Sequence, residues 1–337
     1  MKKKLAIHHR PGSFSDQWID YCEQQDISYK IVNCYENDII DQVKGYRGLM
    51  WHISHILPQD ILIGKQVMFA LEQAGMQTFP NFKTMWHFDD KVGQKYLLEA
   101  IDAPFIDTYV FFNKKDALEW ANKTEFPKVF KLRGGSGSGN VKLVRSNKDA
   151  RKLIRKAFGK GFKQRDAYSD IRERIRKYRK GLGDLKLLTG GFYRLFKNHD
   201  YEDVKGIEKG YVYFQDFIPG NNYDIRVIVI DDKAFAIKRM VRENDFRASG
   251  SGMLHYGKEN FDNKIINVAF ETSKKLQTQS FAVDFVIHNG KPLVVEMSYG
   301  FPNKNFIEGC IGYWDEDLNF YEGDFNPYGW MVNQVIG

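Results

Sequence analysis

The chain has 337 residues, of which 43% are apolar and 15% aromatic, and it carries a formal charge of +7. That length allows two or three domains with one sizeable core, and the apolar and aromatic content excludes disorder as the main state. No window approaches ~18 consecutive apolar residues, which excludes a membrane-spanning helix.

The charge is unevenly placed. Between Lys148 and Lys180 there are 14 Lys/Arg against four acids, a local +10, so the rest of the chain sums to −3. Three widely spaced cysteines, Cys22, Cys34 and Cys310, give neither a disulfide framework nor a zinc pattern and suit a reducing cytoplasm. The basic start is followed by an apolar run that breaks at His8-His9-Arg10, which does not read as a signal peptide.

In chain order, Lys4–Ile7, Tyr29–Asn33 and Gly48–Trp51 read as strands, with helices over Ser15–Gln25 and Ile61–Ala74. This alternation predicts a small parallel sheet covered by helices. Asp89 is placed to cap a helix from Asp90 to about Ala100. Ile106–Phe112, Lys128–Leu132 and Val141–Val144 read as strands and Lys115–Asn122 as a helix; the second half of the cationic stretch, Asp166–Lys180, also looks helical. From Gly210 the pattern is nearly continuous β, through Tyr211–Ile218, Asp224–Ile230 and Lys233–Val241. A helix over Asn263–Gln277 precedes a hairpin of Phe281–Ile287 and Leu293–Met297 around Asn289-Gly290. The whole reads as α/β (α+β).

Several groups could carry chemistry. Gly134-Gly135-Ser136-Gly137-Ser138-Gly139 joins two strands, so it is neither a Walker loop nor a dinucleotide fingerprint, but its N–H groups can fold over phosphates as a flap. Lys131 interrupts an apolar strand just before it, where a charge needs a counter-charge. Lys91 sits at the cation-unfavourable start of its helix. Asp284 and Glu296 each interrupt an apolar strand of the last hairpin. A two-residue turn pairs His288 with Lys291 and turns Glu296 to the other side. A three-residue loop bulged at Gly290 pairs His288 with Pro292 and sets Asp284 across from Glu296, with Ser298 on the same face. Two such close carboxylates repel unless they share a cation, and hard oxygens suit Mg²⁺. Arg226 and Arg239 interrupt neighbouring strands, and Arg247 opens a second small-residue loop with Ser249. His52-x-x-His55 has no third ligand nearby and reads as an ordinary loop.

In their order and spacing, Asp90-Lys91, Phe130-Lys131, Tyr213-Phe214-Gln215-Asp216-Phe217-Ile218, Asp224-Ile225-Arg226, Asp245-Phe246-Arg247 and Asp284…Glu296 resemble the ATP-grasp superfamily. The resemblance is especially to ligases similar to ribosomal-protein glutamate ligases, glutathione synthetase and D-alanine–D-alanine ligase. Asn244–Gly252 and the tail Gly312-Tyr313-Trp314-Asp315…Gly329-Trp330-Met331-Val332 look like ATP-grasp proteins of bacterial surface-polysaccharide clusters.

The resemblance implies an N-terminal domain over residues 1–88 and a central subdomain over 89–209, with a basic insertion at about 159–209. A C-terminal subdomain over 210–337 would follow, with ATP between the last two. It implies that Lys91 and Lys131 contact ATP phosphates and that the glycine loop closes over them. Gln215, Asp216, Phe217 and Ile218 would line the adenine pocket, with Asn221 and Asn222 near the ribose. Asp284, Glu296 and Ser298 would hold one or two Mg²⁺, with Mn²⁺ as a substitute. Ser298 stands where the family commonly has asparagine. Arg226 and Arg239 would stabilise the transferring phosphoryl group, and Arg247 with Ser249 would face the substrate carboxylate.

The implied activity is amide formation from a carboxylate and an amine through an acyl-phosphate, on a sugar acid or amino-acid substituent in polysaccharide biosynthesis. A kinase acting on a hydroxyl is the alternative, followed by a non-catalytic binding module. The basic segment suggests an anionic polymer or the inner membrane surface as partner; nucleic acid ranks lower for want of stacking aromatics.

Overall fold

The computed structural model describes residues 4–135, 140–163, 204–241, 246–247, 252–302 and 307–337. The chain divides into two compact units, one of Met1–Phe88, Gly93–Phe105 and Gly220–Gly337, the other of Asp89–Val92 and Ile106–Pro219.

The first unit opens with β1 (Leu5–His8), α1 (Phe14–Gln24), β2 (Tyr29–Val32), α2 (Ile39–Gln42), β3 (Gly48–Trp51), α3 (Pro58–Gln73), β4 (Gln77–Phe79) and α4 (Phe82–Met85). The strands form a parallel sheet in the order β2-β1-β3-β4. β1 and β3 are buried throughout, as apolar runs covered on both faces require. Their side chains alternate between two cores: Leu5, Ile7 and Met50 pack with Trp18 of α1, while Ala6, Leu49 and Trp51 pack with Met68 and Leu71 of α3. α5 (Lys91–Ala100) follows, and its Leu98 is fully buried.

The second unit contains β5 (Thr108–Phe111), α6 (Lys114–Lys123), β6 (Lys128–Lys131), β7 (Lys142–Val144), α7 (Asn147–Ala157), β8 (Phe162–Lys163), β9 (Ile207–Glu208) and β10 (Val212–Asp216). Its antiparallel sheet runs β5-β10-β6-β7. Phe130, Leu132, Val212 and Phe214 face Ala117 and Ala121 of α6 and Ala150 and Ile154 of α7. β10 was expected to open the last subdomain. It hydrogen-bonds instead to β5 and β6, so the division falls after Pro219 and not at Gly210. α7 occupies the first half of the cationic stretch, which the sequence reading left without a helix; the helix expected over Asp166–Lys180 lies outside the described residues.

The first unit resumes with β11 (Tyr223–Ile230), β12 (Lys233–Met240), β13 (Leu254–His255), α8 (Asn263–Leu276), β14 (Ser280–His288), β15 (Lys291–Ser298), β16 (Gly312–Asp315), β17 (Phe320–Glu322) and α9 (Pro327–Ile336). The sheet order is β15-β14-β11-β12-β16-β17, with β13 paired to β12. Val227, Val229, Phe281 and Val283 pack under α8, and Ile228, Ile230 and Phe235 join the core that holds Leu5 and Trp18. α9 lies in that same core, with Met331, Val332 and Val335 fully buried. A Cβ on Gly48 would fall 2.4 Å from Val335 Cγ1 and 2.5 Å from the Gln77 carbonyl oxygen, so the close approach of α9 and β4 requires glycine there.

The β14–β15 hairpin settles the register by a third route. Its turn is the two-residue Asn289-Gly290 form, with φ of 49° and 74°, and His288 pairs with Lys291. Pairing holds to Phe285–Val294, then shifts by one residue, and Asp284 meets Glu296 directly. The extra residue is Val295, a bulge in the strand and not in the turn. The expectation that the acids face each other holds, but the expected bulge at Gly290 does not.

Candidate active site

Each unit carries one set of the expected residues. In the second unit, Lys131 and Gln215 lie on the sheet face opposite the Phe130–Phe214 core. Lys131 is 4% exposed, and its ammonium donates to Gln215 Oε1 at 2.7 Å. Gln215 Nε2 in turn donates to Thr108 Oγ1 at 3.2 Å. A strand-borne charge this deeply buried is costly, and the amide oxygen that receives it is neutral.

Lys91, also 4% exposed, donates from Nζ to the Gly135 carbonyl at 2.9 Å, and its N–H donates to the Arg133 carbonyl at 2.9 Å. The base of the glycine loop is further held by Asp89, whose carboxylate accepts from the Gly135 N–H at 2.6 Å and ion-pairs with Lys205. Asp89 has a φ of 55°. It was expected to cap the following helix; the carboxylate serves the loop instead. A Cβ on Gly134 would meet Asp89 Oδ2 at 2.9 Å and Lys205 Nζ at 3.1 Å, which accounts for glycine at that place. Arg133 ion-pairs with Asp90, and its N–H donates to the Tyr211 hydroxyl at 2.6 Å. Ser136, Gly137, Ser138 and Gly139 lie outside the described residues.

Asp216 pairs with Lys128 Nζ at 2.6 Å, and Phe217 and Ile218 follow it half-buried. Asn221 and Asn222 belong to the first unit. Asn221 Oδ1 accepts from the Ile287 N–H at 3.1 Å, and the Asn222 carbonyl accepts from the Val241 N–H at 2.8 Å.

The first unit's set is a charged row on one sheet face. Glu296, Asp284 and Arg226 are direct neighbours across β15, β14 and β11, and Asp224 faces Arg239 across β11 and β12. Arg226 grips Asp284 with two bonds, Nε to Oδ1 at 2.6 Å and Nη2 to Oδ2 at 2.8 Å. Arg239 does the same to Asp224 at 2.6 and 2.7 Å and reaches Asp284 Oδ2 at 2.9 Å. Burial opposes the Asp284 charge, but Arg226 and Arg239 together outweigh it and hold the carboxyl well below the usual range. Asp224 moves the other way: burial raises it, the Asp284 charge adds to the rise, and Arg239 only partly offsets both. Arg239 is desolvated, yet its two acids raise its pKa.

The donor set can be tested against a cation. Three guanidinium N–H groups occupy Asp284, leaving one of a carboxylate's roughly four lone-pair positions. Glu296 stands opposite, and Ser298 lies two residues on, with its Oγ accepting from the Gly300 N–H at 3.1 Å. Among the described residues no group of three or more His, Cys, Asp or Glu converges. Two hard carboxylates fit an ion that keeps waters and takes phosphate oxygens, as Mg²⁺ does, and not a closed protein cage. Arg247 lies near the Phe246 ring, and Ser249 is outside the described residues. His52 and His55 part company, the first stacked on Phe14 and the second against Phe88, in keeping with the ordinary-loop reading.

Sequence reasoning missed Asp89 and Lys205 as loop anchors and Lys128 as a second buried strand lysine. The only available signal for Lys128 was the same one that exposed Lys131, a charge in an apolar strand.

Residues 193–308 match the RimK-like ATP-grasp domain family. The chain is 24% identical over 181 residues to an alpha-aminoadipate–LysW ligase from Saccharolobus solfataricus, a match covering 54% of this chain and 50% of that protein. The chain therefore spans about half the length of that relative. Among solved structures, a RimK-domain ATP-grasp protein from Sphaerobacter thermophilus superposes with a TM-score of 0.58 at 14% identity, over 99% of this chain and 100% of that one. The D-alanine–D-alanine ligase of Bacillus anthracis complexed with ATP gives 0.54 at 13% identity, over 89% and 86%. With the sheets described above, the structural likenesses show that the chain has the ATP-grasp fold, and its residues 193–308 are similar to the RimK-like ATP-grasp domain family.

Proposed function

We propose that this protein is an ATP-dependent carboxylate–amine ligase. The observation that carries the reading is the direct Asp284–Glu296 pair beside the half-buried Arg226 and the buried Arg239. In the proposed reaction a substrate carboxylate oxygen attacks the γ-phosphorus of ATP and ADP leaves. An amine then adds to the acyl-phosphate carbonyl, expelling phosphate and leaving an amide after loss of a proton to phosphate or solvent. Mg²⁺, held by Asp284 and Glu296 with Ser298 through water, would neutralise charge on the phosphate oxygens.

The chain's own residues position and neutralise, which is what phosphoryl transfer chiefly requires. Lys91 and Lys131 take ATP phosphates, and the N–H groups of the glycine-rich loop that begins at Gly134 would serve the same phosphates. Gln215, Asp216, Phe217 and Ile218 receive the adenine, and Asn221 and Asn222 lie toward the ribose. Arg226 and Arg239 fix Asp284 and face the transferring group, and Arg247 and Ser249 hold the acid. The acid is read as a sugar acid or amino-acid substituent of a bacterial surface polysaccharide, supported by the Asn244–Gly252 and tail motifs; a chromosomal neighbourhood lacking glycosyltransferases argues against that assignment.

Incubation with Mg-ATP, hydroxylamine and candidate acids tests the reaction class. A ligase releases phosphate and yields a hydroxamate. Phosphorylated product without hydroxamate would make it a kinase, and no Mg-ATP binding by calorimetry would end the reading.

A further inference from the structure

α7 belongs to the cationic stretch, and the ligase reading makes no use of it. Between Lys142 and Lys163 nine Lys/Arg stand against one acid, Asp149. That carboxylate accepts from the Ser146 hydroxyl at 2.7 Å, at the cap of α7. The helix buries Ala150, Ile154 and Ala157 in the core of the second unit. At about 3.6 residues per turn, Lys148, Lys152 and Arg155 fall within about 60° of one another on the side away from that core, spread over about 10 Å of helix axis. All three are exposed, and among the described residues no acid pairs with them.

Such a stripe is unfavourable without an anion. Lys148–Lys152, Arg151–Arg155 and Lys152–Lys156 are like charges at i,i+4, which destabilise a helix, and Lys148 adds a cation at the positive end of the helix dipole. Two other helices place acids at that spacing: Lys95 pairs with Glu99 on α5 at 2.5 Å, and Lys115 with Glu119 on α6 at 3.9 Å. Beside the stripe, α6 and α7 form a surface cleft of about 560 Å³, a size that suits a small ligand. Arg151 lines it with Lys114 and Lys115. Asn113 and Asn122 line it too, with their side-chain oxygens already engaged. Asn113 Oδ1 accepts from the Lys115 N–H at 2.7 Å, and Asn122 Oδ1 accepts from Arg151 Nη1 at 2.9 Å and Asn147 Nδ2 at 3.0 Å. What these amides have left to offer is N–H. The one acid of the lining, Glu119, lies against Lys115, so the cleft presents almost only donors. Arg151 neighbours Lys148 at i,i+3 and Arg155 at i,i+4, which makes cleft and stripe one surface.

We propose that this surface binds an acidic polysaccharide, the cleft taking a uronate residue and the Lys148–Lys152–Arg155 stripe following the next charges of the polymer. A uronate presents a carboxylate and hydroxyl oxygens side by side, which matches charged donors interleaved with neutral amide N–H groups. α7 has no aromatic residue on which nucleic-acid bases could stack. Its apolar face is spent on the protein core, so it has none to sink into a bilayer. The proposal does not rest on the ligase reading, which stands or falls separately on Mg-ATP binding and hydroxamate formation.

The test is calorimetric titration of the full chain, without nucleotide and at about 150 mM salt. The ligands are polygalacturonate, neutral dextran, poly-L-glutamate, single-stranded oligothymidylate and vesicles of phosphatidylcholine with phosphatidylserine. Polygalacturonate should bind at least about tenfold tighter than each of the others and more weakly as salt rises. The triple variant Lys148→Gln/Lys152→Gln/Arg155→Gln should weaken it at least about tenfold and lower the salt slope by about two to three. Lys30→Gln/Lys274→Gln/Lys291→Gln removes the same charge from exposed sites on the first unit and should leave binding within about twofold. Should the first variant fail to fold, Lys152→Gln alone decides, and it must weaken binding by at least about twofold. No binding of polygalacturonate, wild-type affinity in the stripe variant, or equal losses in the two triple variants overturns the proposal. Binding of oligothymidylate, poly-L-glutamate or vesicles as tight as that of polygalacturonate also overturns it, and assigns the surface to nucleic acid, an acidic peptide or a membrane.

Discussion

Asp284 is balanced between two guanidinium groups and the carboxylate across the strand, and the two acids should therefore fail differently. Asp284→Asn leaves Arg226 and Arg239 buried against a neutral amide, which should cost about 3–5 kcal/mol in urea unfolding. Glu296→Gln should change stability by less than about 1 kcal/mol and abolish Mg-dependent turnover; retained turnover would remove Glu296 from the metal site. The buried histidines give a pH signature. Burial lowers His8 to about 4 and His52 to about 3, against 6.5 when unfolded. Between those values the unfolded chain binds protons that the native protein refuses, so stability present above pH 6.5 is lost on acidification. Each histidine should contribute about 1.4 kcal/mol per pH unit across that window. Asn keeps an acceptor for the Phe14 N–H without titrating, so His52→Asn should flatten the slope between pH 6.5 and 5 by about half. An unchanged slope there would contradict the assignment.

The elements explain why some site residues could be read early and others not. A lysine, arginine or acid in an apolar strand announces itself, and Lys131, Arg226, Arg239, Asp284 and Glu296 were found that way. The hairpin register was not readable, because Asn289-Gly290 selects a two-residue turn while the bulge that realigns the acids lies at Val295, where no residue type marks it. Turn and register are thereby separated. Gly290→Ala, at a φ of 74°, should cost about 1 kcal/mol and leave turnover per folded molecule unchanged; loss of turnover at unchanged stability would mean that the turn sets the site. Lys131→Met replaces a buried cation by an apolar chain of similar length. It should leave the melting temperature equal or higher while ATP turnover falls at least about tenfold, the pattern of a charge kept for a ligand.

Across the molecule, the last helix completes the first sheet. α9 supplies Met331, Val332 and Val335 to the core that holds Leu5, Ile7 and Trp18. Truncation before Pro327 should therefore abolish cooperative unfolding of the first unit, read by differential calorimetry. A truncated chain that keeps the wild-type transition would contradict the core described. No helix among the described residues is long and apolar enough to cross a membrane. The helix over Pro327–Ile336 went unpredicted because its faces are almost all apolar and it lacks the amphipathic period that marks a surface helix. By itself the sequence determined the alternating N-terminal strands and helices, the antiparallel sheets and the charged interruptions that make up the candidate site, because each of these is a local departure from period or composition. The tertiary structure alone decided which sheet β10 joins, how a bulge brings Asp284 to Glu296, and why Asp89 serves the glycine loop. Those outcomes depend on hydrogen-bond partners and burial between segments far apart in the chain, for which no single stretch of sequence carries a signal.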